Sequence, residues 1–303
     1  MAGETLETIA AKLDSLALWK EVAPYNWVIK PRGVAFPYFC TVMGDLHPAV
    51  QRHLMLIEGW QTFHDFVRTR YDANFGFYTS PAEMPHFEAI YLKKDKEATQ
   101  FFRYDPGYVP RNLNEAERTL VAKMLWEIYG VMMRIEGDRM LTMKYATSQA
   151  MFARVEAADG TWRDEALPIP QARPHVERVT IPKAILGKVK DLPMDTGWKI
   201  AVDFRAERAE MTKEARPRYP YDLKAEDCET HAPVIHMRTC VNPETGLRGL
   251  WEGMPERFLT GLLHAGRVPG EVVMPSQRVF RMLQPLGTEI PFRLTIDKGV
   301  SVK

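Results

Sequence analysis

The sequence predicts a mixed fold of the α+β or α/β class in two parts: a small N-terminal α+β domain with a mixed sheet, then a C-terminal α/β domain. Three observations lead there. At 303 residues, 46% of them hydrophobic, the chain can bury a substantial core, and its length suits one large domain or two ordinary ones, of which two are expected. Short runs rich in β-branched and aromatic residues, broken by proline and glycine, alternate with segments whose apolar residues recur at helical spacing. From residue 233 onward strands and short helices follow one another in turn, the pattern of a layered sheet with some parallel pairing.

In chain order, Leu6, Ile9, Ala10, Leu13, Leu16 and Ala17 recur at three- and four-residue steps, so a first helix carries one apolar stripe. Pro24 stops any continuation. The runs "NWVIK", "PYFCTVMG" and "RHLMLIEG", separated by Pro31, Gly33, Gly44 and Pro48, read as strands. After Gly59, the spacing of Trp60, Phe63, Val67 and Tyr71 predicts a helix, and "HFEAIYLKK" returns to strand character. Pro106-Gly107 then makes a turn, and Pro110 prevents an early helix start. Asn114 is placed to cap a long helix, with Glu117 in capping-box position three residues on. Its expected buried stripe is Ala116, Leu120, Met124, Ile128, Val131 or Met132, and Ile135, and Gly137 ends it.

Asp159-Gly160 between two β-like arms is a strong hairpin signal, and a second domain is expected to begin just before it, giving domains at 1–140 and 141–303. Pro182 to Val189 reads as a short helix and "GWKIAVDF" as a strand. Residues 205–229, dense in mixed charge and without periodicity, read as an exposed connection. Thereafter "PVIHMRTCVNPETGLRGLWEG" reads as strand, turn, strand; "PERFLTGLLHAG" as helix; "GEVVMPS" as strand; "QRVFRMLQPLG" as helix; and "EIPFRLTID" as strand.

Composition excludes more than it selects. Forty Lys and Arg against 39 Asp and Glu leave a formal charge of +1, so no global field recommends nucleic acid or an anionic membrane. No apolar run approaches the roughly 18 residues of a membrane span, and Glu4, Glu7, Lys12 and Asp14 interrupt the N-terminal stretch where a signal core would lie. Cys40, Cys228 and Cys240 form neither a CxxC pair nor an even disulfide framework, so reduced thiols in the cytoplasm are expected.

Two sets of segments carry a resemblance. "KEVAPYNWVI", "FCTVMGDL" and "FRYDPGYVPRNLNEAE" in the first half, with "PVIHMRTCVNPETGLRG" and "GRVPGEVVMPSQRVFRMLQPLG" in the second, resemble an uncharacterised bacterial family of paired domains of unknown function. That family brings no activity to carry over. The C-terminal pattern also resembles a ribonuclease H-like core, in which carboxylates at the middle of the first strand and near the end of a later one hold two divalent cations. Taking "MRTCVN" as that first strand puts Asn242 where an acid is needed, and the later strand ends in Met274, Pro275 and Ser276. The resemblance therefore implies a degenerate version of the layout.

Other constellations point to packing rather than chemistry. "CETHAPVIHMRTC" gathers Cys228, His231, His236 and Cys240, but without the tight paired knuckles of structural zinc. Cys40 and Cys240 sit among apolar or β-branched neighbours, and no GxSxG elbow occurs. The best exposed aromatic and acidic cluster of the first half is expected at Tyr104, Asp105, Tyr108 and Arg111, a candidate binding surface. The sequence reading is thus a cytoplasmic binding or regulatory protein with no catalytic residues, no metal and no cofactor. A protein or small-ligand partner is favoured over nucleic acid, and no membrane is involved. A divalent-metal nuclease, or a nucleic-acid binder without cleavage, is the alternative.

Overall fold

The computed structural model describes residues 5–16, 25–43, 50–71, 83–92, 99–145, 147, 149–172, 178–207, 216–300 and 302. The loop "GDLHP" and the centre of the charged connection, 208–215, fall outside the described residues. The chain folds as two compact units. One lies within 1–67, 84–105 and 110–173, the other within 68–83, 106–109 and 174–303.

The first unit begins with α1 (Leu6–Asp14), capped by the Thr5 hydroxyl, which accepts from the Thr8 N–H at 3.2 Å. Strands β1 (Tyr25–Lys30), β2 (Tyr38–Met43) and β3 (Val50–Glu58) follow, then α2 (Trp60–Tyr71), β4 (His86–Leu92), β5 (Thr99–Tyr104) and the short β6 (Arg111–Asn112). Helix α3 (Glu115–Gly137), α4 (Leu141–Tyr145) and the hairpin β7 (Ala150–Glu156) with β8 (Trp162–Pro168) complete it. These strands make one mixed sheet in the order β6-β5-β4-β3-β2-β1-β7-β8, antiparallel throughout except where β7 runs parallel to β1. Alternation along the strands gives the sheet two apolar faces. Trp27, Ile29, Tyr38, Cys40, Leu54, Leu56, Phe87 and Phe101 share a core with α1 and α3. On the opposite face, Phe39 stacks on Phe63 of α2 with ring centroids 4.2 Å apart.

Asn114 and Glu117 form the expected capping box, each side chain accepting from the other's backbone N–H at 2.9 Å. The buried stripe of α3 differs from the expected one in its first turns. Val121 and Leu125 are buried where Ala116 is exposed, because α3 packs on α1 as well as on the sheet and its apolar side is correspondingly wider. The hairpin at Asp159-Gly160 forms, but it extends the first sheet through β1. The first unit therefore takes in 110–173, past the expected boundary at 140/141, while 68–83 and 106–109 cluster with the second.

The second unit contains α5 (Lys183–Lys190), β9 (Met194–Ala206), β10 (Pro220–Asp227), β11 (Pro233–Cys240), α6 (Gly246–Glu252), α7 (Met254–Ala265), β12 (Val268–Met274), α8 (Gln277–Leu283) with a 3-10 turn at Gln284–Thr288, and β13 (Arg293–Ile296). The sheet order is β11-β10-β9-β12-β13. The first three strands are antiparallel neighbours, while β12 runs parallel to both β9 and β13. Two sequence expectations are corrected. "GLRGLWE" is helix α6 and not a strand, since Leu247, Leu250 and Trp251 bury together only at helical spacing. The segment 220–227, read as exposed connection, is an inner strand, because Tyr221, Leu223 and Ala225 alternate inward beneath the polar residues that hid the pattern.

Candidate functional site

In the first unit the residues of the expected surface serve mainly to hold one another. Arg103, at the end of β5, lies over the Phe87 ring at 4.7 Å and is bound by the Glu58 carboxylate, with Nη2 at 3.2 Å from Oε2. Its Nε donates to Asp105 at 2.9 Å. Arg111 reaches the other oxygen of Asp105 at 3.7 Å and closes a two-pronged pair on Glu117, both N···O distances being 2.7 Å. Glu117 therefore serves the helix cap and Arg111 at once. Tyr104 stacks on the buried His86 at 4.2 Å, and burial, the largest cause, depresses that imidazole to a pKa of about 4. Tyr38 is pushed up to about 12, chiefly by burial and then by Glu58. Each of Tyr104, Asp105, Tyr108 and Arg111 is part-buried.

Tyr108 belongs to the second unit. Residues 106–109 pair with 217–219 there: Val109 N–H donates to Pro217 O and Tyr219 N–H to Gly107 O, both at 3.0 Å, and Arg216 lies over the Tyr108 ring at 4.0 Å.

The second sheet has two unlike faces. One, with Trp198, Ile200, Val202, Phe204, Leu223, Val272 and Met274, packs beneath the helices. The other is charged, and its charges are layered. Asp222 is 1% exposed and is held by Arg238 through Nε at 2.8 Å and Nη2 at 3.0 Å, with His236 Nε2 at 3.2 Å. Arg238 first, then His236, keeps the Asp222 carboxyl below its usual range against the effect of burial. Glu271 accepts from Arg293 at 2.6 Å and Thr295 at 2.9 Å, with Lys199 at 3.7 Å. Lys224 donates to Glu207 at 3.0 Å.

Asp203, on the central strand β9, does not stand out in the sequence because it lies in an otherwise apolar run. Burial raises its carboxyl above the usual range, opposed by Arg205, whose Nη1 is 3.5 Å away, and by the charge of Arg278. Asp203 lies just beyond the last paired position of β9 against β12, Ala201 with Val273, carried toward the carboxyl ends of these parallel strands. The signal that could have found it is topological. Strand β9 comes first in the chain among the strands of this sheet and lies at its centre, which places Asp203 there, whereas Asn242 lies in the turn after β11.

A buried polar network lies on the helix side. Tyr221 Oη donates to Glu83 Oε1 at 3.0 Å, Arg278 Nη1 is 3.6 Å from Glu83 Oε2, and the Arg278 guanidinium covers Trp251 at 4.1 Å. Cys40 is buried, with its thiol pushed well up by burial, the condition of an inert packing cysteine. Among the described residues no three His, Cys, Asp or Glu side chains are grouped to hold a metal ion.

Comparison with known proteins found no matching family model, no matching curated protein and no matching solved structure.

Proposed function

We propose that this is a binding or regulatory protein without catalytic activity, its two units acting as two domains, the second a degenerate ribonuclease H-like one. The order β11-β10-β9-β12-β13, three antiparallel strands followed by two reached through helical crossovers, supports that layout. The observation that carries the non-catalytic reading is the company of Asp203. A pair of dications needs several carboxylates to offset their charge. Arg205 stands 3.5 Å from Asp203, the charge of Arg278 also acts on it, and β12 leads into Pro275 and Ser276, whose hydroxyl caps α8 by accepting from Val279 N–H at 3.2 Å. This positive charge opposes the binding of a dication at Asp203.

The charged face also favours a protein or small-ligand partner over nucleic acid. Its cations are matched by carboxylates beneath them, Arg238 with Asp222 and Arg293 with Glu271. Among the described residues this pairing offsets the positive charge that phosphodiester binding draws on. A cytoplasmic location belongs to the same reading and is supported by the three free cysteines.

Asp203 itself favours the second reading, a divalent-metal nuclease. The decisive experiment incubates the protein with DNA, RNA and RNA–DNA hybrid in Mg²⁺ or Mn²⁺, alongside thermal melts in each ion. No cleavage above buffer and no stabilisation at millimolar metal are expected, where even a modest site shows by mass action. Cleavage that co-purifies with the protein and disappears in Asp203→Asn would establish the nuclease instead.

A further inference from the structure

Helix α7 crosses the edge strand β11 in close contact. Gly261 makes this possible, since a Cβ there would overlap the Ile235 side chain. Nearer the start of α7, side chains of the two elements border a hollow. It is an open depression of about 320 Å³ lined by Met237 of β11 and by Gly253, Glu256, Arg257 and Thr260. Its volume is at the lower end for small-molecule sites.

The chemistry of the depression is set by Arg257. Its guanidinium is half-buried, and among the described residues no carboxylate forms an ion pair with it. That separates it from Arg103, Arg111, Arg154, Arg238 and Arg293, each of which is paired with an acid. Its hydrogen bond runs from Nη1 to the Leu250 carbonyl at 3.0 Å, an end group of α6. That contact explains one N–H and leaves most of the five donors of the fork for another acceptor. Gly253 brings the backbone against the guanidinium, for a Cβ there would come within 2.9 Å of Nη1. Desolvation makes holding this charge less favourable, and Glu256 offsets it in part. An oxyanion on the open donors would relieve that cost, and a forked guanidinium suits a planar carboxylate.

The remaining lining narrows the ligand. Glu256 is exposed at the rim and repels a second negative charge, which disfavours phosphate and dicarboxylates. Met237 offers an adaptable apolar floor. Thr260 donates its hydroxyl to Glu256 O at 2.8 Å, which leaves its oxygen lone pairs able only to accept. We infer that the depression between β11 and α7 binds a small monocarboxylate, its carboxylate on Arg257 and its apolar body on Met237. This goes beyond the binding reading above and does not depend on the charged face of the sheet.

The test titrates the full-length protein with benzoate and butyrate, with benzamide and butyramide as neutral counterparts and inorganic phosphate and succinate as charge controls, observed by saturation-transfer NMR and calorimetry. Saturable binding of a monocarboxylate and none of its amide is expected. Arg257→Met should weaken benzoate roughly tenfold or more, the scale of a lost charge-assisted bond. Glu256→Gln, a change at an exposed position, should tighten benzoate and relax the exclusion of succinate, so the test survives if Arg257→Met fails to fold. Equal binding of benzoate and benzamide, benzoate affinity unchanged in a folded Arg257→Met, or no saturable binding of any monocarboxylate up to about 20 mM, where even complexes of a few kcal/mol are visible, would each overturn the inference.

Discussion

Gly107 shows how one residue can be required twice. Its φ of +81° is a left-handed conformation that side chains resist. A Cβ at this position would also overlap Val241, a fully buried core residue of the second unit. Gly107→Ala should therefore destabilise by about 2–4 kcal/mol, adding backbone strain to overpacking, read as a lower urea midpoint at unchanged slope. His86 makes the pH-dependent counterpart. Its folded pKa of about 4 lies below the ordinary 6.5, so the unfolded chain binds more protons between those values. The stability it contributes is complete above pH 6.5 and is lost as pH falls toward 4, by up to about 3 kcal/mol. His86→Phe, which keeps a ring against Tyr104, should flatten that part of the stability curve. A slope between pH 6.5 and 4 that is the same in both proteins would remove His86 as its source.

At the scale of elements, the approach to α3 is built as a joint. The Asn114–Glu117 box satisfies backbone groups at the helix start, and Arg111 forks onto the same Glu117. Asn114→Ala should cost about 1 kcal/mol, the usual worth of a cap. Glu117→Ala should cost more, because it removes the reciprocal cap bond and leaves part-buried Arg111, among the described residues, with the 3.7 Å contact to Asp105 as its ion pair. Chemical denaturation of the two single variants measures the order. If Asn114→Ala proved the more damaging, the Arg111 pair would contribute little to this joint.

For the whole molecule, the place of residues 220–227 in their sheet changes what proteolysis should report. Strand β10 is hydrogen-bonded to β9 on one side and β11 on the other, with Tyr221, Leu223 and Ala225 fully buried. Early cleavage should leave Pro220–Asp227 uncut, because a protease needs several residues of extended, unpaired chain. Mass spectrometry of the first fragments checks this, and an early cut within 220–227 would mean that the strand is not stably paired. A second expectation concerns redox state. Cys40, Cys228 and Cys240 are free, so reductant should leave the melting temperature unchanged, while a fall of several degrees would reveal a stabilising disulfide.

Local rules fixed much of this from the sequence. The stripe of α1, the Asn114 cap, the Asp159-Gly160 hairpin and the alternation of strand and helix after residue 233 all follow from periodicity and turn chemistry, which act over a few residues. So does the α+β or α/β class. What the local pattern could not decide is which strands become neighbours. The hairpin β7–β8 joins the first sheet by pairing in parallel with β1, a partner more than a hundred residues away, and no residue in it advertises that choice. Strand β9 becomes the middle of the second sheet only because β10 and β12 pair on its two sides, and the folded chain brings Asp203 within the electrostatic influence of Arg278. The Arg257 depression exists because α7 packs against β11, close at Gly261, which brings Arg257 and Met237 to one hollow. Side-chain identity is written in the chain, but which charges face one another depends on long-range pairing, and that is settled only when the sheets assemble.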